Sequence, residues 1–240
     1  MTPTPWHTGR LAGFDIESTG VDVETARIVT AAVIGCGGDQ PTDPMTWLVN
    51  PGIDIPDEAA AIHGITTEKA QAVGLPAEYA VDQIATLLAS YQEDGTPIVA
   101  FNARYDYTVL DRECRRYGLK TVAERCGRVG PVIDPYVIDK QLDRWRKGSR
   151  KLDAVCSHYG VALGDDAHEA TADALACTRV AYKQAARNRQ LQVSLPQLMA
   201  MQTAWAEEQA ASLQEYFRRK DPTAVVEGAW PLVPHRPDGP

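Results

Sequence analysis

Phe14-Asp15-Ile16-Glu17-Ser18-Thr19-Gly20 holds two carboxylates, one residue apart, in a short stretch that ends at a Thr-Gly turn. Apolar residues lead into it, so it reads as a buried strand entering a loop. Residues two apart on a strand share a face, so Asp15 and Glu17 point the same way. Neighbouring carboxylates repel and resist burial unless something cationic lies between them. Hard oxygen donors of this kind suit Mg²⁺ or Mn²⁺. A strand whose acidic face is merely solvated would carry the same letters, so the pair needs partners from elsewhere.

Two further acids stand at helix starts. In Phe101-Asn102-Ala103-Arg104-Tyr105-Asp106 a buried strand ends and a helix begins, which puts Asp106 in a first helical turn. An acid there also stabilises the helix dipole, an alternative this stretch leaves open. In His168-Glu169-Ala170-Thr171-Ala172-Asp173 the last acid sits early on a long helix. Five residues of helix turn through about 500°, so His168 and Asp173 converge only if His168 lies in the loop ahead of the helix. Gly164-Asp165-Asp166 supplies such a loop; a solvated histidine beside a helix start is the alternative.

The elements that must position these groups follow from periodicity. Strands are expected at Arg10–Glu17, Arg27–Gly35 and Met45–Val49, close enough together for an antiparallel meander. Thr66 is placed to cap a short helix from Thr67, and Ala77–Gln92 carries Tyr79, Ile84, Leu87, Leu88 and Tyr91 as a buried face. Pro97–Phe101 is a wholly apolar inner strand and Val129–Ile133 an edge strand. Helices are expected at Tyr105–Tyr117, near Pro135–Asp143 and Ser149–Tyr159, and from Glu169 to Arg189. The fold class is α/β, a five-stranded mixed sheet flanked by helices. Residues 1–8 read as a flexible start, 9–189 as one catalytic domain, and 190–240 as an appendage. In that appendage Leu195–Arg219 is helical and Asp221–Pro240 is Pro/Gly-rich, irregular or frayed, and without a catalytic motif.

Asp-x-Glu on a first strand, Asn-x-x-x-Asp after an inner strand and His-x-Ala-x-x-Asp opening a late helix occur here in that order. This resembles the DEDD superfamily of 3′–5′ exonucleases, histidine subtype, which includes the proofreading subunit of bacterial DNA polymerase III, RNase T and oligoribonuclease. The similarity spans roughly Gly9–Arg189, and His63-Gly64-Ile65-Thr66 matches a motif of the proofreading members. The tyrosine subtype would place Tyr where this chain has Glu169.

The resemblance implies an RNase H-like fold and phosphodiester hydrolysis with two Mg²⁺ or Mn²⁺ ions about 4 Å apart. Asp15 would bridge both ions, Glu17 and Asp173 would complete the first site, and Asp106 would hold the second largely through water. His168 would be the general base, its ordinary pKa near 6.5 suiting that role. Ser18, Thr19 and Gly20 and the His63-Gly64-Ile65 turn would flank the terminal nucleotide. Asn102 would touch the substrate or position Asp106, or else simply cap its helix. The implied product is a nucleoside 5′-monophosphate, cut from a free 3′ end of nucleic acid, expected to be single-stranded DNA, with RNA as the alternative.

Composition narrows the partners. The formal net charge of −8 offers nucleic acid no global attraction, so any such ligand must be held locally. The one dense basic stretch is Arg144-Trp145-Arg146-Lys147-Gly148-Ser149-Arg150-Lys151, suited to phosphate contact or to a solvated loop. Five scattered cysteines without Cys-x-x-Cys spacing, no signal-like start and no bilayer-length apolar run point to a cytoplasmic protein off the membrane. A catalytically dead nucleic-acid or partner-binding module is disfavoured, because such a module has no need of a repulsive acid cluster. A proofreader docked on a DNA polymerase or sliding clamp is a further reading. Gln197-Leu198-Met199-Ala200-Met201 faintly resembles a clamp-binding peptide, but an amphipathic helix face explains it as well.

Overall fold

The computed structural model describes residues 5–163 and 170–236. The meander is present as β1 (Arg10–Ser18), β2 (Ile28–Gly37) and β3 (Asp43–Asn50), with Asp15 opposite Ala32 and Glu17 opposite Thr30. Then come α1 (Asp57–His63), α2 (Thr67–Val73), β4 (Leu75–Pro76), α3 (Ala77–Glu93) and β5 (Ile98–Val99). They are followed by α4 (Ala103–Arg116), α5 (Val122–Cys126), β6 (Val132–Ile133) and α6 (Pro135–Leu142). Last are α7 (Leu152–Tyr159), α8 (Ala170–Arg187) and α9 (Leu195–Arg218).

The sheet order is β4-β3-β2-β1-β5-β6, with β5 parallel to both β1 and β6. This is the mixed RNase H-like sheet anticipated from the motifs. Its five expected strands are joined by one addition, β4, which is two residues long and parallel to β3. Proline fits there because an edge strand need not donate to a neighbour.

β1 divides the molecule. Ala12, Phe14 and Ile16 enter the main core with Val81, Ile84 and Leu88 of α3 and Tyr107 and Leu110 of α4. Leu11 belongs to a second core with Cys177 and Ala181 of α8. Gly13 lies directly under α8, where a Cβ would meet the Ala174 carbonyl oxygen at 2.5 Å. Ala32, Ala170 and Ala174 form a small cluster at the same contact, and small side chains let the helix sit close to the sheet.

Four expectations change. In the start read as flexible, Trp6–Thr8 form a 3₁₀ turn, and the buried Trp6 donates its indole N–H to the Leu191 carbonyl at 2.7 Å. Tyr79 is 56% exposed, because it lies about 200° around α3 from Val81 and so points away from the buried stripe. α1 and α5 were not anticipated; α1 buries no residue, so it leaves no apolar period to read. Beyond α9 the described chain is irregular, as expected, but it is not frayed. Trp230 is only 7% exposed and sits in the main core. Among the described residues no helix is long and apolar enough to cross a membrane.

Candidate active site

Three carboxylates converge at the end of β1. Asp15, Glu17 and Asp173 each offer an oxygen, and these oxygens lie within 4.8 Å of one another. Alternation on β1 presents the first two to α8, and the close approach over Gly13 brings Asp173 to meet them. The donor set fits a hard divalent cation: oxygen atoms only, negatively charged, and partly withdrawn from water.

The electrostatics point the same way. Burial holds the Asp15 carboxyl well above the usual carboxylate range, and the charges of Asp106, Glu17 and Asp173 raise it further. Glu17 is pushed up to about 7, by burial first and by Asp173 second. Such a group of acids is self-repelling until a cation joins it.

Asp106 comes to the site from the opposite side of β1. It is buried in the first turn of α4 and accepts a hydrogen bond from the Ile16 amide at 3.1 Å. Burial raises its pKa, while the amides of Ile16 and of Asp106 itself pull it down.

The turn that launches α4 is built unusually. Asn102 occupies the N-cap position with φ 62°, in the left-handed region where asparagine is among the few tolerated side chains. Its own side chain makes no capping bond and is exposed. The cap comes instead from Asp134, whose carboxylate accepts from the amides of Asn102 and Ala103 at 3.0 Å each. Asp134 also caps α6 through Tyr136 and Val137, and accepts from the Trp230 indole at 3.1 Å. Sequence reasoning missed Asp134; the Asp-Pro start of a helix was its one signal.

The other candidates fall into two groups. Ser18 bonds to Tyr105 and to the Gly20 carbonyl, and Tyr105 also donates to Gly20, so the loop after Glu17 is pinned by α4. The Thr19 hydroxyl is turned inward, accepting from the Arg27 amide at 3.0 Å. Gly64 ends α1 in the left-handed conformation, and Ile65 packs with Val29, Ile55 and Ala70. These side chains shape the loops.

His63 differs. Its Nδ1 accepts from the Ile65 amide at 3.2 Å, and its Nε2 is buried. Burial lowers its pKa, and the nearby Ser18 backbone opposes that shift, so the ring lies beside the end of β1. His168 and Glu169 lie outside the described residues. In the clamp-like segment Leu198 is buried and the Met199 sulfur accepts from the Val132 amide at 3.1 Å, while Gln197 and Ala200 are exposed.

Known proteins share this framework. E. coli Exonuclease I, solved with a dT13 oligonucleotide, matches with a TM-score of 0.65 and 20% identity over 76% of this chain and 42% of that one. Exonuclease I from Methylocaldum szegediense matches with a TM-score of 0.62 and 21% identity, over 87% of this chain and 46% of that one. A curated relative, the PolC-type DNA polymerase III of Thermotoga maritima, is 29% identical over 163 residues, 66% of this chain but 10% of the polymerase. The chain thus spans less than half the length of these solved structures and a tenth of the polymerase. A family model described as an exonuclease, RNase_T, matches residues 12–181. That span takes in β1, α4 and the first turns of α8, so the three converging carboxylates and Asp106 stand within the matched framework, and the chain belongs to the RNase_T exonuclease family.

Proposed function

We propose that this chain is a metal-dependent 3′–5′ exonuclease that releases nucleoside 5′-monophosphates from single-stranded DNA ends. The observation that carries this reading is the group Asp15, Glu17 and Asp173, gathered within ligand distance on an exonuclease-family framework. Single-stranded DNA is favoured over RNA because the Exonuclease I structures of similar fold hold DNA oligonucleotides.

Asp15, Glu17 and Asp173 would hold one Mg²⁺ or Mn²⁺ ion, and Asp106 would help with a second. Bound there, the two ions would neutralise charge at the scissile phosphate and lower the pKa of water, so that it gives up a proton and attacks as hydroxide. The protein's own part is to orient. The pinned Ser18-Thr19-Gly20 loop fixes the rim beside Glu17, and the half-buried ring of His63 beside the end of β1 would flank the terminal nucleotide. His168 takes the proton from the attacking water in this proposal. A proofreading role beside a polymerase is a second reading, favoured by the PolC-type relative.

The test is purified protein with 3′-extended, blunt and RNA substrates labelled at the 5′ end, in Mg²⁺, Mn²⁺ or EDTA. Stepwise shortening of single-stranded DNA that EDTA abolishes is expected. Robust cleavage without metal, or cutting from within, would overturn the proposal. His168→Ala should lower turnover about 10²–10⁴-fold with no rescue by excess Mn²⁺, while Glu169→Ala stays near wild type.

A further inference from the structure

Three depressions run into one another from the start of α4, past α6, to the outer turns of α9. The first is bounded by Asn102, Tyr136 and Arg150, and the second shares Asn102 and Tyr136 with it. The third shares Lys140, Gln209 and Leu213 with the second and Arg150 with the first, and it ends at Trp145 and Tyr216. The groove therefore begins at Asn102, four residues before Asp106 in the turn that launches α4. Its far wall, α9, lies outside the span that matches the exonuclease family.

The cations here are not alike. Arg150 is tied to the buried Asp139 at 2.6 Å, and Arg144 to Glu208 at 2.7 Å. Arg104 donates to the Glu227 carbonyl. Lys140 has no ion pair or hydrogen bond from its ammonium among the described residues; it lies over the Tyr136 ring, 4.9 Å from its centroid. It is half-buried; burial, Arg150 and Arg104 press its pKa down, and the Asp134 carboxylate partly offsets them. A half-buried cation crowded by two others is completed by an anion entering the groove. At the groove's end Trp145 is 83% exposed, with the Arg144 guanidinium 5.6 Å from its ring centroid. An exposed indole braced by an arginine is a platform on which any base can stack.

We propose that this groove carries the single strand leading away from the 3′ end, with a backbone phosphate on Lys140 and a base stacked on Trp145. The proposal rests on the exonuclease reading for its direction, and it assigns to α6 and α9 a hold on the substrate in a chain of net charge −8. Short ends would then be gripped by the acid site alone, and longer strands by both.

The experiment compares fluorescein-labelled dT4 and dT16 by anisotropy in EDTA, where nothing is cut. Wild type is expected to bind dT16 far more tightly than dT4. Lys140→Gln should lower the dT16-to-dT4 affinity ratio about tenfold and reduce the salt slope for dT16 by about one, with recovery in Lys140→Arg. Trp145→Ala should lower the same ratio about tenfold and leave the salt slope alone. Lys120→Gln, exposed beyond the C-terminal end of α4 and not among the groove's lining residues, is the control and should not move the ratio. Equal wild-type affinity for the two lengths, or variants whose ratio matches wild type, would overturn the proposal. Hydrolysis of thymidine 5′-(p-nitrophenyl phosphate) with Mn²⁺ reads the acid site separately. Wild type that binds dT16 through Lys140 yet hydrolyses neither ester nor DNA would sink the proposed function and leave the groove standing.

Discussion

At Asp15 and Glu17 the protein accepts a local loss of stability. Both carboxyls are raised above their ordinary range, Glu17 from 4.5 to about 7. Between those values the metal-free native state holds a proton that the unfolded chain has lost. The contribution is therefore fully present below about pH 4.5 and disappears as pH rises through 7. For Glu17, allowing for partial solvent access, the loss is roughly 1–3 kcal/mol. Melting in EDTA should show Tm falling from pH 5 to pH 8, with Mg²⁺ or Mn²⁺ restoring more at the higher pH. A flat profile would mean that the acids are not crowded in solution. Asp15→Asn should raise the metal-free Tm at pH 8 yet lower nuclease turnover about 10³-fold, since it removes several kcal/mol of charge stabilisation. Near-normal turnover in that variant would remove Asp15 from the metal site.

Two elements bring Asp106 and Asp173 to the strand, and each depends on a contact remote in sequence. α8 can lie on β1 only because residue 13 lacks a side chain. Gly13→Ala is expected to cost about 1–3 kcal/mol and to weaken Mn²⁺ binding, measured by titration, because Asp173 must move with its helix. α4 is strapped by the C-terminal segment: the Val233 amide donates to Thr108 at 3.1 Å, and Arg112 donates to the Val233 carbonyl at 3.2 Å. Trp230 adds its indole bond to Asp134, the carboxylate that caps α4. Trp230→Ala should therefore destabilise by about 3–5 kcal/mol, and Trp230→Phe by about 1 kcal/mol for the lost hydrogen bond. Denaturant melts distinguish the two. Ending the chain at Lys220 should lower both Tm and turnover, although the removed residues include none of the acids; equal stability in the truncation would show the strap to be idle.

At the scale of the whole molecule, sheet, α9 and tail share their interior. Trp230 lies in the core of Phe14 and Leu88, and Leu198 in that of Leu11 and Ile133. The described part of this segment, residues 190–236, is packed against the sheet, so calorimetry should record one cooperative transition. Two separated transitions, the first removed by truncation at Lys220, would restore the view of an independent appendage.

Local pattern was enough for much of this. Alternation on β1 set Asp15 and Glu17 on one face, the Thr66 cap started α2, and the apolar run at Ile98–Val99 marked an inner strand. Each rests on interactions within a few residues, which composition and spacing carry directly. α1 was hidden because it buries nothing, and β4 because two residues have no period. The convergence of Asp15, Glu17 and Asp173 spans more than 150 residues of chain and was legible only as a family resemblance. Tertiary structure alone decided that Asp134 caps α4 from across the sheet edge, that Gly13 admits α8, and that an irregular tail is held by Trp230. These are meetings of groups far apart in sequence, set by which surfaces exclude water together, and no local period records them.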